Sequence, residues 1–145
     1  MDIDFAKLAK LPYISKRMFV IGSICKKRNV DLEYLFGLMS LYNEKNRGKW
    51  FWQKATFTGA LKETYENFNK KIDGIVRSLK SMEESSFLCH VEDGTEILER
   101  FLTGMEANCE VDRDAGYRYV KGLLDNNLKK IIEESTRSLK KHGII

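Results

Sequence analysis

The residues best suited to chemistry in this 145-residue chain are three cysteines, Cys25, Cys89 and Cys109, and two histidines, His90 and His142. A structural or catalytic metal site needs Cys, His or carboxylate ligands at close spacing. Cys89 and His90 are adjacent, so on a helix or a strand their side chains point in different directions. Cys25 and Cys109 stand singly among apolar helical positions, where a thiol behaves as a small buried hydrophobe. Nucleophilic catalysis by Cys89 would need a base from elsewhere in the fold, and no strand–turn–helix context surrounds it. The glycines Gly22, Gly37, Gly59, Gly74, Gly104, Gly116 and Gly122 are scattered through helical stretches. Such isolated glycines permit close helix contact and make no phosphate loop. The expectation is a non-enzymatic protein with no catalytic residue, no metal and no cofactor.

One short pattern points the other way. Arg137-Ser138-Leu139-Lys140-Lys141-His142 is an Arg-x4-His sequence, which resembles the motif of the HEPN superfamily of all-α ribonucleases. In that family an Arg and a His, usually paired across a dimer, act on RNA phosphodiester bonds. The resemblance spans six residues and implies a ribonuclease as a distant alternative. The same cations also suit the last turn of a helix, facing the negative end of its dipole.

Binding chemistry concentrates in the first third. Arg47-Gly48-Lys49-Trp50-Phe51-Trp52-Gln53-Lys54 interleaves three aromatics with three cations. Exposed, this pattern stacks bases and meets phosphates or lodges among lipid headgroups; buried, it fills the end of a bundle. Two tryptophans this close are hard to bury together, which predicts partial exposure. With Lys16-Arg17 and Lys26-Lys27-Arg28, the segment makes residues 1–54 the best candidate for an anionic partner. Two helices at 15–28 and 31–43 would have a helix-turn-helix outline. However, Leu32–Tyr42 holds no Arg, Lys, Asn or Gln with which to read a groove. The candidate partner-binding residues are Lys26, Lys27, Arg28, Arg47, Lys49, Trp50 and Trp52.

Charge is distributed in three blocks. Residues 1–54 carry eleven Lys/Arg against five Asp/Glu, 55–112 six against twelve, and 113–145 eight against four. Basic, acidic and basic blocks can complement one another across helix interfaces or present a basic face to an anionic partner. A content of 43% hydrophobic, 11% aromatic and 32% charged residues supplies both a core and a solvated surface. No apolar run approaches the roughly 20 residues that span a bilayer. The start, with Asp2 and Asp4, does not read as a secretory signal. An odd number of widely spaced cysteines predicts reduced thiols in an intracellular setting, cytoplasmic or nuclear.

The elements that position these residues are helical. Pro12 ends a short helix at Asp4–Leu11. Ser15 is the expected N-cap of a second helix to Arg28. Asp31 caps a third to about Asn43, with Val30 and Leu35 as a hydrophobic staple. The stretch 43–48 reads as a loop. A fourth helix, from about Trp50, carries Leu61, Tyr65, Phe68, Ile72, Ile75, Leu79 and Met82, spaced 4, 3, 4, 3, 4, 3. That heptad seam keeps one stripe facing a partner, expected to be the last helix; a break near Gly59 is left open. Phe87–Val91 reads as a buried crossover or a brief extended segment. Asp93 and Glu96 form a capping box for a fifth helix to about Cys109. Asp112 caps a sixth to Lys141, kinked at Asn126-Asn127, with Val120, Leu124, Leu128, Ile131 and Leu139 inward and a Schellman stop at Gly143.

The fold expected is a single all-α domain over 1–145. It would be an elongated bundle of five to six helices, including the long heptad-patterned helix and a long C-terminal one. The function expected is a helical interaction protein (adaptor, inhibitor or regulatory subunit) that binds another protein or itself. The alternative is nucleic-acid binding through the basic first third. Neither a transmembrane segment nor a membrane-surface partner is expected.

Overall fold

The computed structural model describes residues 3–46, 59–109, 120–122 and 124–145. They form six α-helices and no strand, an all-α bundle. Asp4 caps α1 (Phe5–Ala9), its Oδ1 accepting from the Lys7 amide at 3.0 Å. Pro12 then occupies the N-cap of α2 (Tyr13–Arg28). Its fixed φ suits a helix entry and its missing N–H is not needed there. The helix therefore opens before Ser15, which is buried in the first turn instead of capping it. Asn29 closes α2 in the left-handed region (φ 55°), and the Val30 amide returns to the Cys25 carbonyl at 2.9 Å. Asp31 next accepts from the Tyr34 amide at 3.0 Å and starts α3 (Leu32–Asn46). That helix continues three residues past Asn43, through part of the expected loop.

Gly59 adopts φ 60°, so α4 (Ala60–Ser78) begins at a residue that tolerates positive φ. The expected first turns from Trp50 lie outside the described residues. A 3₁₀ turn at Leu79–Ser81 follows, and Met82 is extended. The heptad seam thus outlasts its α-helix by one tighter turn. Leu61, Phe68, Ile72, Ile75 and Leu79 are buried, and Tyr65 and Met82 pack at the margin. The seam's partners are α5 and α2, while the C-terminal helix packs on α2. That differs from the expected pairing of the seam with the last helix: the spacing requires a buried stripe but does not say which helix covers it.

The largest departure from expectation is α5, a continuous 26-residue helix, Glu84–Cys109, about 39 Å long at 1.5 Å per residue. Phe87–Val91 forms its first turns, neither crossover nor strand. Asp93 and Glu96 are exposed positions within it, not a cap. Gly94 interrupts neither the helix nor its packing, because a Cβ there would meet Ile24 Cδ1 at 2.7 Å. Its absence lets α2 come close.

Beyond the undescribed 110–119, which include Asp112, Val120 and Lys121 are helical. Asp125 then caps α6 (Asn126–Lys141), accepting from the Leu128 amide at 2.7 Å. The expected kink is therefore a full break with a new cap. Val120, Leu124, Leu128 and Leu139 are inward as expected, but Ile132 is buried in place of Ile131, because the stripe runs through Leu128, Ile132, Ser135 and Leu139. Gly143 (φ 71°) ends the chain's last turn, and the Ile144 amide bonds the Leu139 carbonyl at 2.9 Å, as a Schellman stop requires.

Buried side chains from all six helices join in one core. Two aromatic groups anchor it. Tyr42, Tyr65 and Phe101 join α3, α4 and α5, with ring centroids 4.0–6.1 Å apart. Phe5, Phe19 and Phe87 join α1, α2 and the start of α5 at 5.4 and 5.7 Å.

Candidate functional site

The last turn of α2 presents Lys26, Lys27 and Arg28, all exposed. It runs beside the acidic edge of α5. Lys27 Nζ lies 3.8 Å from Glu92, and Arg28 Nε lies 3.9 Å from Glu99, two turns further along α5. Such surface pairs contribute about 0–1 kcal/mol each; their importance here is that they partly neutralise the basic turn. Lys121 similarly meets Glu33 at 3.3 Å. Arg17 donates to Asn69 Oδ1 at 2.6 Å and Lys16 to the Ala9 carbonyl at 3.4 Å. Arg47, Lys49, Trp50 and Trp52 lie outside the described residues, so only Lys26, Lys27 and Arg28 of the expected surface are seen together.

Lys26 and Lys27 also border a feature that sequence reasoning missed. Between α2 and the first turns of α5 lies a groove of about 340 Å³, lined by Ser23, Lys26, Lys27, Phe87, Leu88 and Val91. Phe87 and Val91 are buried in its floor, and Leu88 stands 50% exposed on its wall. The signal was present: consecutive residues on a helix diverge by about 100°. A run as apolar as Phe87-Leu88-Cys89 cannot turn every side chain inward, and with Phe87 and Val91 on the core side Leu88 must face out.

Across from the groove, α4 and α5 are tied by polar side chains. Lys71 Nζ donates to His90 Nδ1 at 2.9 Å and to Asp93 Oδ2 at 3.3 Å. Tyr13 donates a hydrogen bond to Asp73, and that bond, followed by desolvation, holds the phenol above its ordinary pKa. His90 therefore has its Nδ1 occupied by an ammonium and acts as a tie between two helices. Among the described residues no group of three or more His, Cys, Asp or Glu side chains is arranged to hold a metal.

The two described thiols differ sharply. Cys25 is buried, and burial, with a smaller contribution from the Asp31 carboxylate, pushes its pKa up to about 12. Cys89 is exposed, although the run Phe87–Val91 that holds it was expected as a buried crossover or a brief extended segment. Arg137 and His142 lie five residues apart, which places them about 140° apart around a helix. Arg137 borders a hollow of about 430 Å³ with Glu33, Ile132, Glu133, Thr136 and Lys140. The His142 ring instead bonds through Nδ1 to the Ser138 carbonyl at 2.8 Å. Within one chain, then, the two residues do not meet.

A larger hollow of about 930 Å³ lies among Arg28, Leu61, Thr64, Glu96, Glu99, Arg100, Thr103 and Asn108. Arg28 and Glu99 offset one another there, and both signs of charge line it. No helix among the described residues is long and apolar enough to cross a membrane. No family model, curated protein or solved structure matches the chain at a significant level.

Proposed function

We propose that the protein is a non-enzymatic helical interaction module that docks a protein surface on the groove between α2 and α5. The observation that carries this reading is the half-exposed Leu88 above the buried Phe87 and Val91, beside Lys26 and Lys27. An apolar centre with a charged rim has the anatomy of a protein–protein contact, in which a desolvated anchor is ringed by polar residues. A nucleic acid fits less well. Lys27 and Arg28 already face Glu92 and Glu99, and those carboxylates would repel a phosphate backbone.

Cys89, exposed one residue from Leu88, gives the test. A photo-cross-linker attached there, with Cys109→Ser and Cys25 shielded by burial, is irradiated in the purified protein and in an extract of the cells that make it. The expected result is a protein adduct that disappears with Leu88→Asp. Adducts that persist with Leu88→Asp, or no protein adduct at all, overturn the reading.

A further inference from the structure

We infer that the occupant of the α2–α5 groove is a second copy of this chain, turned about a two-fold axis that runs along the groove. The proposal rests on the docking reading above and adds to it the identity of the partner.

The charge pattern carries it. The α2 rim of the groove is cationic, with Lys26 and Lys27. The α5 rim is acidic, with Glu84 one turn before Leu88 and Glu92 one turn after it. Phe87 and Val91 are buried between the two rims, while Leu88 stands on the α5 rim, on the same stripe as Glu84 and Glu92, and lines the groove from that side. An acidic partner would gain at Lys26 and Lys27 and lose at Glu84 and Glu92, and a basic partner would do the reverse. A copy rotated by 180° about an axis lying in the contact plane, along the groove, exchanges left for right. Its cationic rim then faces the acidic rim of the first chain, and the same happens a second time on the other side. Each Leu88 is carried over the other chain's groove, where it can cover Phe87 and Val91. This is an isologous contact, in which one patch is complementary to itself. The Lys27–Glu92 pair at 3.8 Å, exposed on both sides, can be redirected across the interface at little cost because exposed pairs are weak.

The experiment is a charge-swap cycle read by sedimentation equilibrium, with circular dichroism confirming that each variant folds. The wild-type chain, of 16.9 kDa, should move toward twice that mass as concentration rises. The double variant Lys26→Glu/Lys27→Glu makes both rims acidic, and Glu84→Lys/Glu92→Lys makes both rims basic. Each alone should self-associate at least tenfold more weakly than wild type. An equimolar mixture of the two should recover association, because unlike rims now face each other on both sides, and high salt should weaken it. A wild-type chain that stays monomeric at its solubility limit, or variants that each dimerise as well as wild type, overturns the proposal. If self-association is absent while Leu88-dependent adducts to a different protein form at Cys89, the groove stands and the copy falls. If neither occurs, both fall.

Discussion

Along α5, Leu98, Phe101, Leu102 and Met105 are wholly enclosed, whereas three turns earlier Leu88 stands half exposed beside Phe87 and Val91. The later stretch meets α3 and α4 through the Tyr42–Tyr65–Phe101 group. The earlier stretch packs on α1 and α2 through Phe5, Phe19 and Phe87 and is tied to α4 by Lys71, yet leaves a groove beside α2. One helix thus supplies fold stability at one end and an unfilled apolar surface at the other. The same contrast between enclosed and open positions recurs for the thiols, Cys25 against Cys89, and for the glycines, Gly37 against Gly22.

Substitutions can break or sharpen that contrast. The largest effect is expected for Phe101→Ala, which empties a fully enclosed aromatic site and should cost about 3–5 kcal/mol in chemical denaturation. A loss under about 1 kcal/mol would mean that this end of α5 is not the stabilising one.

Cys25 should make the fold sensitive to alkali. Its folded pKa, about 12, lies above the ordinary thiol value of 9.0. The neutral thiol is therefore favoured in the folded state, and its contribution is fully present below pH 9. It is lost as pH rises from about 9 to 12, because the unfolded chain ionises first. Over that window the loss approaches roughly 4 kcal/mol, and Cys25→Val should reduce the slope. In thiol labelling at pH 8, Cys89 should react at once and Cys25 only on unfolding. Equal rates would refute the enclosed setting of Cys25.

Among the glycines, a Cβ at Gly37 would overlap the Val120 carbonyl, whereas one at Gly22 meets nothing within 4 Å. Gly37→Ala should destabilise by about 1–3 kcal/mol. Gly22→Ala should stabilise by about 0.5–1 kcal/mol, since a helix-interior glycine gives up more backbone entropy than alanine. Thermal midpoints that move in the same direction would show that the close α3–Val120 contact does not form.

How far this arrangement could be read in advance follows from which interactions are local. Asn29, Asp31 and Gly143 stand at helix ends and act through neighbours within a few residues, so their roles were legible. The stripe from Leu61 to Met82 was legible as a buried face, because 4, 3 spacing states which side is apolar. Its covering helix was not legible, since that depends on where α2 and α5 sit. Asp93 and Glu96 have the spacing of a capping box, but the same residues suit an exposed helical face. The stacking of Phe87 on Phe19, a contact between helices, helps make 84–92 the start of α5. The candidate site divides in the same way. Lys26 and Lys27 were visible as a basic turn, while their neighbours Glu92 and Leu88, over sixty residues away, become adjacent only through packing.

The smallest effect on stability, and the largest on association, is expected at the open end of α5. Leu88→Asp, measured for both thermal unfolding and sedimentation in the same buffer, tests the division of labour along α5 most directly. We predict a stability change within about 0.5 kcal/mol, as at an exposed position, together with loss of association. A variant that unfolds several degrees earlier would place Leu88 in the core, and one that associates like wild type would remove it from the interface; either result contradicts the account.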